Sequence, residues 1–254
     1  MNKKKVFLAV LALILVCSLS VAGTLAYLTA TQQQAVVNTF VAASGGIIIP
    51  KPGPTPTPTP DIPDELNTNF FLVESPATYA DGNYTLSTTA KKVITNNYDK
   101  VVPSMTIPKD PALTINLAKD IDAYIFVKVV DTTNGNLIYT MDTARWEAID
   151  ATNHPGVYVY INDSSKTGNA KHIVTGNSND EYDLTAVNLF PVVSDTTSLF
   201  YNMCTVKAAD TLNDTDDADD GMQLGKLTFY AYACQAGGFA SAAEAFTSCF
   251  GSNP

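Results

Sequence analysis

The chain has 254 residues, 46% of them hydrophobic, with 25 acidic side chains against 15 basic ones and a formal charge of −10. That acidity excludes a nucleic-acid partner, which needs a clustered basic face, while the apolar content suffices for one full core. Four cysteines in this length exclude a disulfide-built scaffold.

Residues 1–26 read as a signal peptide. Lys3, Lys4 and Lys5 form a basic opening, an apolar run follows from Val6 to Val16, and small residues close it around Gly23, Thr24 and Ala26. The basic end stays on the cytoplasmic side while the apolar stretch enters the bilayer, and Thr24 and Ala26 fit the narrow subsites of a signal peptidase. The competing reading is a permanent anchor, because the run approaches the roughly 20 residues that span a bilayer. Ser18, Ser20 and Gly23 break the run, which favours cleavage after Ala26 and a mature chain starting at Tyr27. Cys17 is not a lipidation site, since Val16 stands where a small residue is needed. Cleavage removes three lysines and no acids, so the charge becomes −13, and Cys204, Cys234 and Cys249 remain.

Residues 27–49 form an N-terminal apolar segment. Val36, Val37, Phe40, Val41 and the Ile47-Ile48-Ile49 triplet are too apolar to lie alone in water, so the segment calls for a sheet edge, its own or a neighbour's. Residues 50–65 are a Pro/Thr-rich linker. Its Thr-Pro repeat lacks the backbone donors for a helix or sheet and favours an extended polyproline-like spacer.

Residues 66–254 read as an all-β domain, an antiparallel β-sandwich or jelly roll with a short C-terminal helix. Strands are expected over 68–73, 83–88, 92–95, 124–131, 137–140, 157–161, 188–193, 203–207 and 227–234. Asn134-Gly135 predicts a hairpin between the strands on either side, because a type I′ turn needs positive φ at both central residues. Val157, Val159 and Ile161 alternate with Tyr158 and Tyr160, and Leu227, Phe229 and Ala231 alternate with Tyr230 and Tyr232. The aliphatic faces are assigned to the core and the tyrosines to a flank or second layer. Ser241 and Glu244 have capping-box spacing. Phe239, Ala242, Ala243, Phe246 and Phe250 share one helical stripe, and Gly251 ends it. Strand, turn and helix bring Cys234 and Cys249 near each other, either as a disulfide or as two buried thiols.

Two parts of the sequence carry a family resemblance. Gly23-Thr24-Leu25-Ala26-Tyr27-Leu28-Thr29, followed by Asn38-Thr39-Phe40-Val41, resembles the export signal read by the SipW type of signal peptidase. Val102-Pro103-Ser104, Lys109-Asp110-Pro111, the run Asp122 to Val129, and Tyr230 to Ala236 with Gly238-Phe239 and Glu244-Ala245-Phe246 resemble the secreted domain of the TasA/camelysin group. The Cys234 position departs from the aliphatic residue usual there. The resemblance implies a secreted, SipW-dependent protein of a Gram-positive bacterium, held at the cell surface or in the biofilm matrix. It further implies a fibre subunit. The apolar 27–49 segment on its stiff proline spacer is the expected element of self-association, adding a strand to a neighbour's sheet edge, with folding back onto its own sheet as the rival. A surface binding or adhesion module that contacts matrix or cell-wall components is a competing class. Camelysin-like relatives also imply a metalloprotease as an alternative.

The residues themselves present no catalytic constellation: there is no His-Glu-x-x-His, no Gly-x-Ser-x-Gly and no paired-cysteine zinc pattern. His154 and His172 are expected at the surface, and no cofactor is expected. Asp214, Asp216, Asp217, Asp219 and Asp220 crowd one loop and are calcium candidates by ligand type alone. The spacing fails the EF-hand pattern, because Ala218 and Leu227 stand at ligand positions. A solvated acidic turn is the expectation. If Ala26 fills the peptidase subsite, Ala26→Asp should trap a membrane-bound precursor; Met1 at the N-terminus of extracellular protein would refute the signal assignment.

Overall fold

A computed structural model describes residues 30–31, 35–42, 70–87, 89–90, 92–115, 117, 122–176, 185–215 and 222–251. The signal segment with Ala26 and Tyr27, the linker over 50–65, and Asp216, Asp217, Asp219 and Asp220 lie outside the described residues. The strands in chain order are β1 (Ala30–Thr31), β2 (Val36–Ala42), β3 (Phe70–Val73), β4 (Ala77–Ala80), β5 (Asn83–Leu86), β6 (Thr95–Val101), β7 (Thr106–Pro108) and β8 (Ala112–Ile115). They continue with β9 (Asp122–Asp131), β10 (Leu137–Ile138), β11 (Trp146–Ala148), β12 (Val157–Tyr160), β13 (Val174–Thr175), β14 (Thr185–Asn188), β15 (Thr205–Ala208) and β16 (Gln223–Gln235). The helix α1 (Ala242–Phe250) follows. The described chain is therefore mostly β, built of several antiparallel sheets with one short α-helix.

The largest sheet runs β11-β12-β9-β16-β2-β6, with β1 also on β16 and β13 on β9. Two three-stranded sheets, β10-β15-β7 and β14-β8-β3, and the hairpin β4-β5 complete the set. The period of two splits the central strands between two cores. Ile125, Val127 and Val129 of β9 join Leu227, Phe229 and Ala231 of β16 in the main core, with Leu72, Ile107, Leu113, Val187 and Val206 from the smaller sheets. On the opposite face Tyr124, Phe126, Tyr232 and Cys234 pack with Ala242, Ala245 and Phe246 of α1.

This division corrects the reading of β12. Val157 and Val159 belong to the helix-side cluster, whereas Tyr158 and Tyr160 pack against the main core. Register is the cause: Tyr158 stands opposite Val127 and Val159 opposite Phe126, and paired residues share a face. For β16 the expected assignment holds, with Leu227, Phe229 and Ala231 on the main core and Tyr232 in the second layer.

The expected hairpin also needs correction. Asn134 and Gly135 do take positive φ, 51° and 84°, and Asn136 N–H closes the turn onto Thr133 O at 2.9 Å. The strands on either side do not pair. β9 lies between β12 and β16, while β10 pairs with β15 in another sheet. The buried Asn136 side chain holds the chain after the turn elsewhere, donating to Asn213 O and accepting from Asn213 N–H. Satisfying that buried amide directs β10 away from β9.

The helix forms as its sequence dictates. Ser241 Oγ accepts from Glu244 N–H at 3.1 Å, and Glu244 Oε2 reaches back to Ala240 N–H at 2.8 Å. Gly251 at φ 84° terminates it. The buried stripe uses Ala245, with Ala243 only half-buried.

The N-terminal strand β2 lies inside the main sheet of its own chain, antiparallel to β16 and parallel to β6. Val36, Asn38 and Phe40 on one face are fully buried. Its pairing with β16 slips between Gln223 and Lys226. Gly225 sits in that irregularity at φ +86°, where a Cβ would collide with the Thr132 backbone. Gly225→Ala should therefore lower stability by about 1–3 kcal/mol, read from urea midpoints; an unchanged midpoint would contradict the close packing of β16 on the 132–133 turn.

Candidate functional site: a buried lysine–glutamate–asparagine cluster

Alternation in β2 sends every second side chain into the main core, and the middle one is polar: Val36, Asn38, Phe40. The parallel register sets Asn38 beside Asn96 of β6, so two carboxamides enter the core together. Between them lies Glu74, which follows β3 and is fixed by reciprocal backbone bonds with Val93 at 2.9 and 2.8 Å. Lys109 follows β7 and is held by its N–H to Cys204 O at 2.7 Å. Glu74, Lys109 and Asn38 are each fully buried.

The Glu74 carboxylate collects all of them. Lys109 Nζ donates to Oε1 at 3.0 Å and Oε2 at 2.9 Å. Asn38 Nδ2 donates to Oε1 at 2.7 Å, and Asn96 Nδ2 to Oε2 at 3.0 Å. Asn96 is tied further, its Nδ2 to Ser75 O at 3.0 Å and its Oδ1 to Ala77 N–H at 2.9 Å. By contrast Asn38 Oδ1 and the Tyr98 hydroxyl, both buried, have no hydrogen-bond partner. The ammonium faces three rings, Tyr98, Phe229 and Phe40, with centroids at 5.4, 5.5 and 6.0 Å. Phe40 and Tyr98 themselves stack at 4.8 Å.

A second polar layer closes the site towards solvent. Asp110 accepts from Ser75 N–H at 2.8 Å and Ser75 Oγ at 2.6 Å. Lys92, half exposed, reaches Ser75 Oγ at 2.6 Å and Asp110 at 3.3 Å. Burial shapes the electrostatics. Desolvation pushes the Lys109 ammonium pKa down, with Glu74 opposing it. Desolvation first, then the charges of Glu74 and Asp110, push the Tyr98 phenol well up. Chemically, the cluster places an amine, a carboxyl group and two amides together in a fully buried site.

The residues singled out from sequence fall elsewhere. Asp214 Oδ1 accepts from Gln223 N–H at 2.9 Å, and the other four aspartates lie outside the described residues. Among the described residues no group of three or more His, Cys, Asp or Glu is placed to hold a metal ion. Cys204, Cys234 and Cys249 are free thiols. Strand, turn and helix do bring Cys234 against Cys249, whose side chain hydrogen-bonds with it; burial first, then Cys249, raises the Cys234 pKa. Burial likewise pushes the Cys204 thiol up to about 12.

The two histidines are buried rather than superficial. His154 Nε2 pairs with Thr247 Oγ1 of α1 at 2.8 Å, and His172 Nε2 with Glu147 at 2.8 Å. Packing of α1 over the 150–156 turn covers the first, and Lys171 and Glu147 cover the polar edge of the second.

Nothing in the sequence marks Glu74 or Asn96 as functional, and Asn38 and Lys109 stand out only within the segments that carry the family resemblance. The available signal was Asn38 itself, a polar residue at the inward position between Val36 and Phe40. No family model matches the chain, and no curated protein or solved structure matches it.

Removing one partner of a buried pair leaves a charge without compensation, at a cost of about 3–5 kcal/mol. Lys109→Met should therefore destabilise strongly, and adding Glu74→Gln to it should restore part of the loss in urea unfolding. A double variant no more stable than Lys109→Met would contradict the electrostatic account.

Proposed function

We propose that the protein is an extracellular structural subunit, exported through a SipW-type signal peptidase and assembled in the cell-surface or biofilm matrix. In this reading the smaller sheets and the main sheet form the two layers of a β-sandwich of jelly-roll kind, with α1 closing one side. The high acidic charge favours solubility outside the cell. The observation that carries the reading is β2: a strand near the N-terminus fills the place between β16 and the edge strand β6 in the main sheet, and in sequence a proline-rich stretch separates it from β3.

Every bond that β2 makes to β16 and β6 is available to the same strand from another copy. Exchange of an identical element between protomers needs no new surface. Passed from one copy to the next, head to tail, it builds an open filament rather than a closed ring. Within one chain the strand serves its own sheet, so assembly is exchange and not the addition of a spare arm.

A second reading, a surface adhesion module for matrix or cell-wall components, draws on one groove. It has a volume of about 430 Å³ and is lined in part by Ile138, Tyr139, Pro191 and Val192. Ile138 and Val192 are 54% and 44% exposed. A camelysin-like metalloprotease stands on the resemblance alone.

The test is a chain lacking residues 27–49, alone and with a peptide of residues 35–42 added. The account expects concentration-dependent fibres from the mature protein by negative-stain microscopy. It expects a destabilised truncated domain that forms none, and recovery of its melting temperature with the peptide. Mature protein that stays monomeric at every concentration would overturn it.

A further inference from the structure

We infer that Lys109 and Asn38 become joined by an isopeptide bond that the protein forms on itself, with Glu74 as the proton carrier. The geometry has the three parts such a reaction needs. Glu74 bonds at once to the nucleophile, Lys109 Nζ, at 2.9 and 3.0 Å and to the leaving group, Asn38 Nδ2, at 2.7 Å. All three residues are fully buried, and Phe40, Tyr98 and Phe229 wall the amine from water. Proximity and orientation replace an external catalyst, because a bimolecular amide exchange has become intramolecular.

The steps balance. A proton passes from the Lys109 ammonium to the Glu74 carboxylate, turning a buried ion pair into two neutral groups, which complete burial favours. The freed amine lone pair attacks Asn38 Cγ, and the carbonyl electron pair moves onto Oδ1. Glu74 gives its proton to Nδ2 and accepts one from Nζ. As the carbonyl re-forms, the Cγ–Nδ2 bond breaks and ammonia departs. The products are a secondary amide, neutral ammonia and a protonated Glu74, with no oxidant, reductant or cofactor used.

Asn38, not Asn96, is the electrophile. Both the side-chain oxygen and the nitrogen of Asn96 are committed: Oδ1 accepts from Ala77 N–H, and Nδ2 donates to Glu74 and Ser75 O. Asn38 Oδ1 is buried without a partner, and so is the hydroxyl of Tyr98 on the adjacent strand. A phenol whose pKa is raised remains a donor, and it stands on the strand beside the oxygen that gains charge. Asn96 and Tyr98 are positioning residues. The bond would fix β2 to the segment after β7 whichever copy supplies the strand.

Intact mass of the denatured, folded-and-purified full chain tests this. The wild type should be lighter than its sequence by one ammonia, and digestion should give a branched peptide joining Lys109 to Asn38, with no tryptic cleavage after Lys109. Asn38→Ala, Lys109→Arg and Glu74→Gln should each show the full mass. Wild-type protein at full mass, with Lys109 recovered in an unbranched peptide, overturns the inference regardless of how the variants fold. A branch to Asn96 overturns the assignment of the electrophile.

Discussion

A carboxylate and an ammonium share a fully buried site at the centre of this fold, and four segments distant in sequence end there. Glu74 follows β3, Lys109 follows β7, Asn38 lies in β2 and Asn96 in β6. A buried ion pair gives little net stability over an apolar core of equal volume, because desolvation offsets most of its attraction. What it imposes is arrangement. Glu74 is satisfied only when both amides and the lysine arrive together, so strands slipped by one residue would leave a charge buried and alone. The cluster thus sets the register of β2 on β6.

The main sheet is parallel at this one pair and antiparallel elsewhere. β2 pairs antiparallel with β16 through backbone bonds and an apolar face, Val36 opposite Phe229. Its other edge meets β6 in parallel, Asn38 beside Asn96 and Phe40 beside Tyr98. The aromatic stack and the amide pair are therefore one feature seen at successive inward positions. Behind the sheet the second core is separate, built from Tyr124, Phe126, Val157, Val159 and Tyr232 under Phe246 of α1. The buried ion pair lies on one side of β16 and the helix packs on the other.

The elements most legible in sequence were those whose local chemistry is self-sufficient. The helix is specified by Ser241, Glu244 and Gly251 within one stretch, and β9 and β16 by long β-branched and aromatic runs. Strands such as β6, with sequence TNNYDKV, were missed because polar and charged residues occupy it. Its inward positions are Asn96, Tyr98 and Val101, and their meaning depends on Glu74, 22 residues before Asn96. The Asn134-Gly135 turn was legible, but its outcome was not, since Asn136 bonds to a segment 77 residues away. Tyr158 and Val159 exchanged faces for the same reason: alternation gives two faces, and only the partner strand says which is the core. The candidate site was the least legible part, because an amine, a carboxyl and two amides carry no motif until the fold gathers them.

The central claim is that β2 is an integral strand held by this cluster. Native-state hydrogen exchange of the full chain measures that directly. The account predicts that amides of Val36 to Phe40 exchange only through global opening, with protection equal to that of Ile125 to Val129 in β9. Rapid exchange across β2 while β9 stays protected would contradict it.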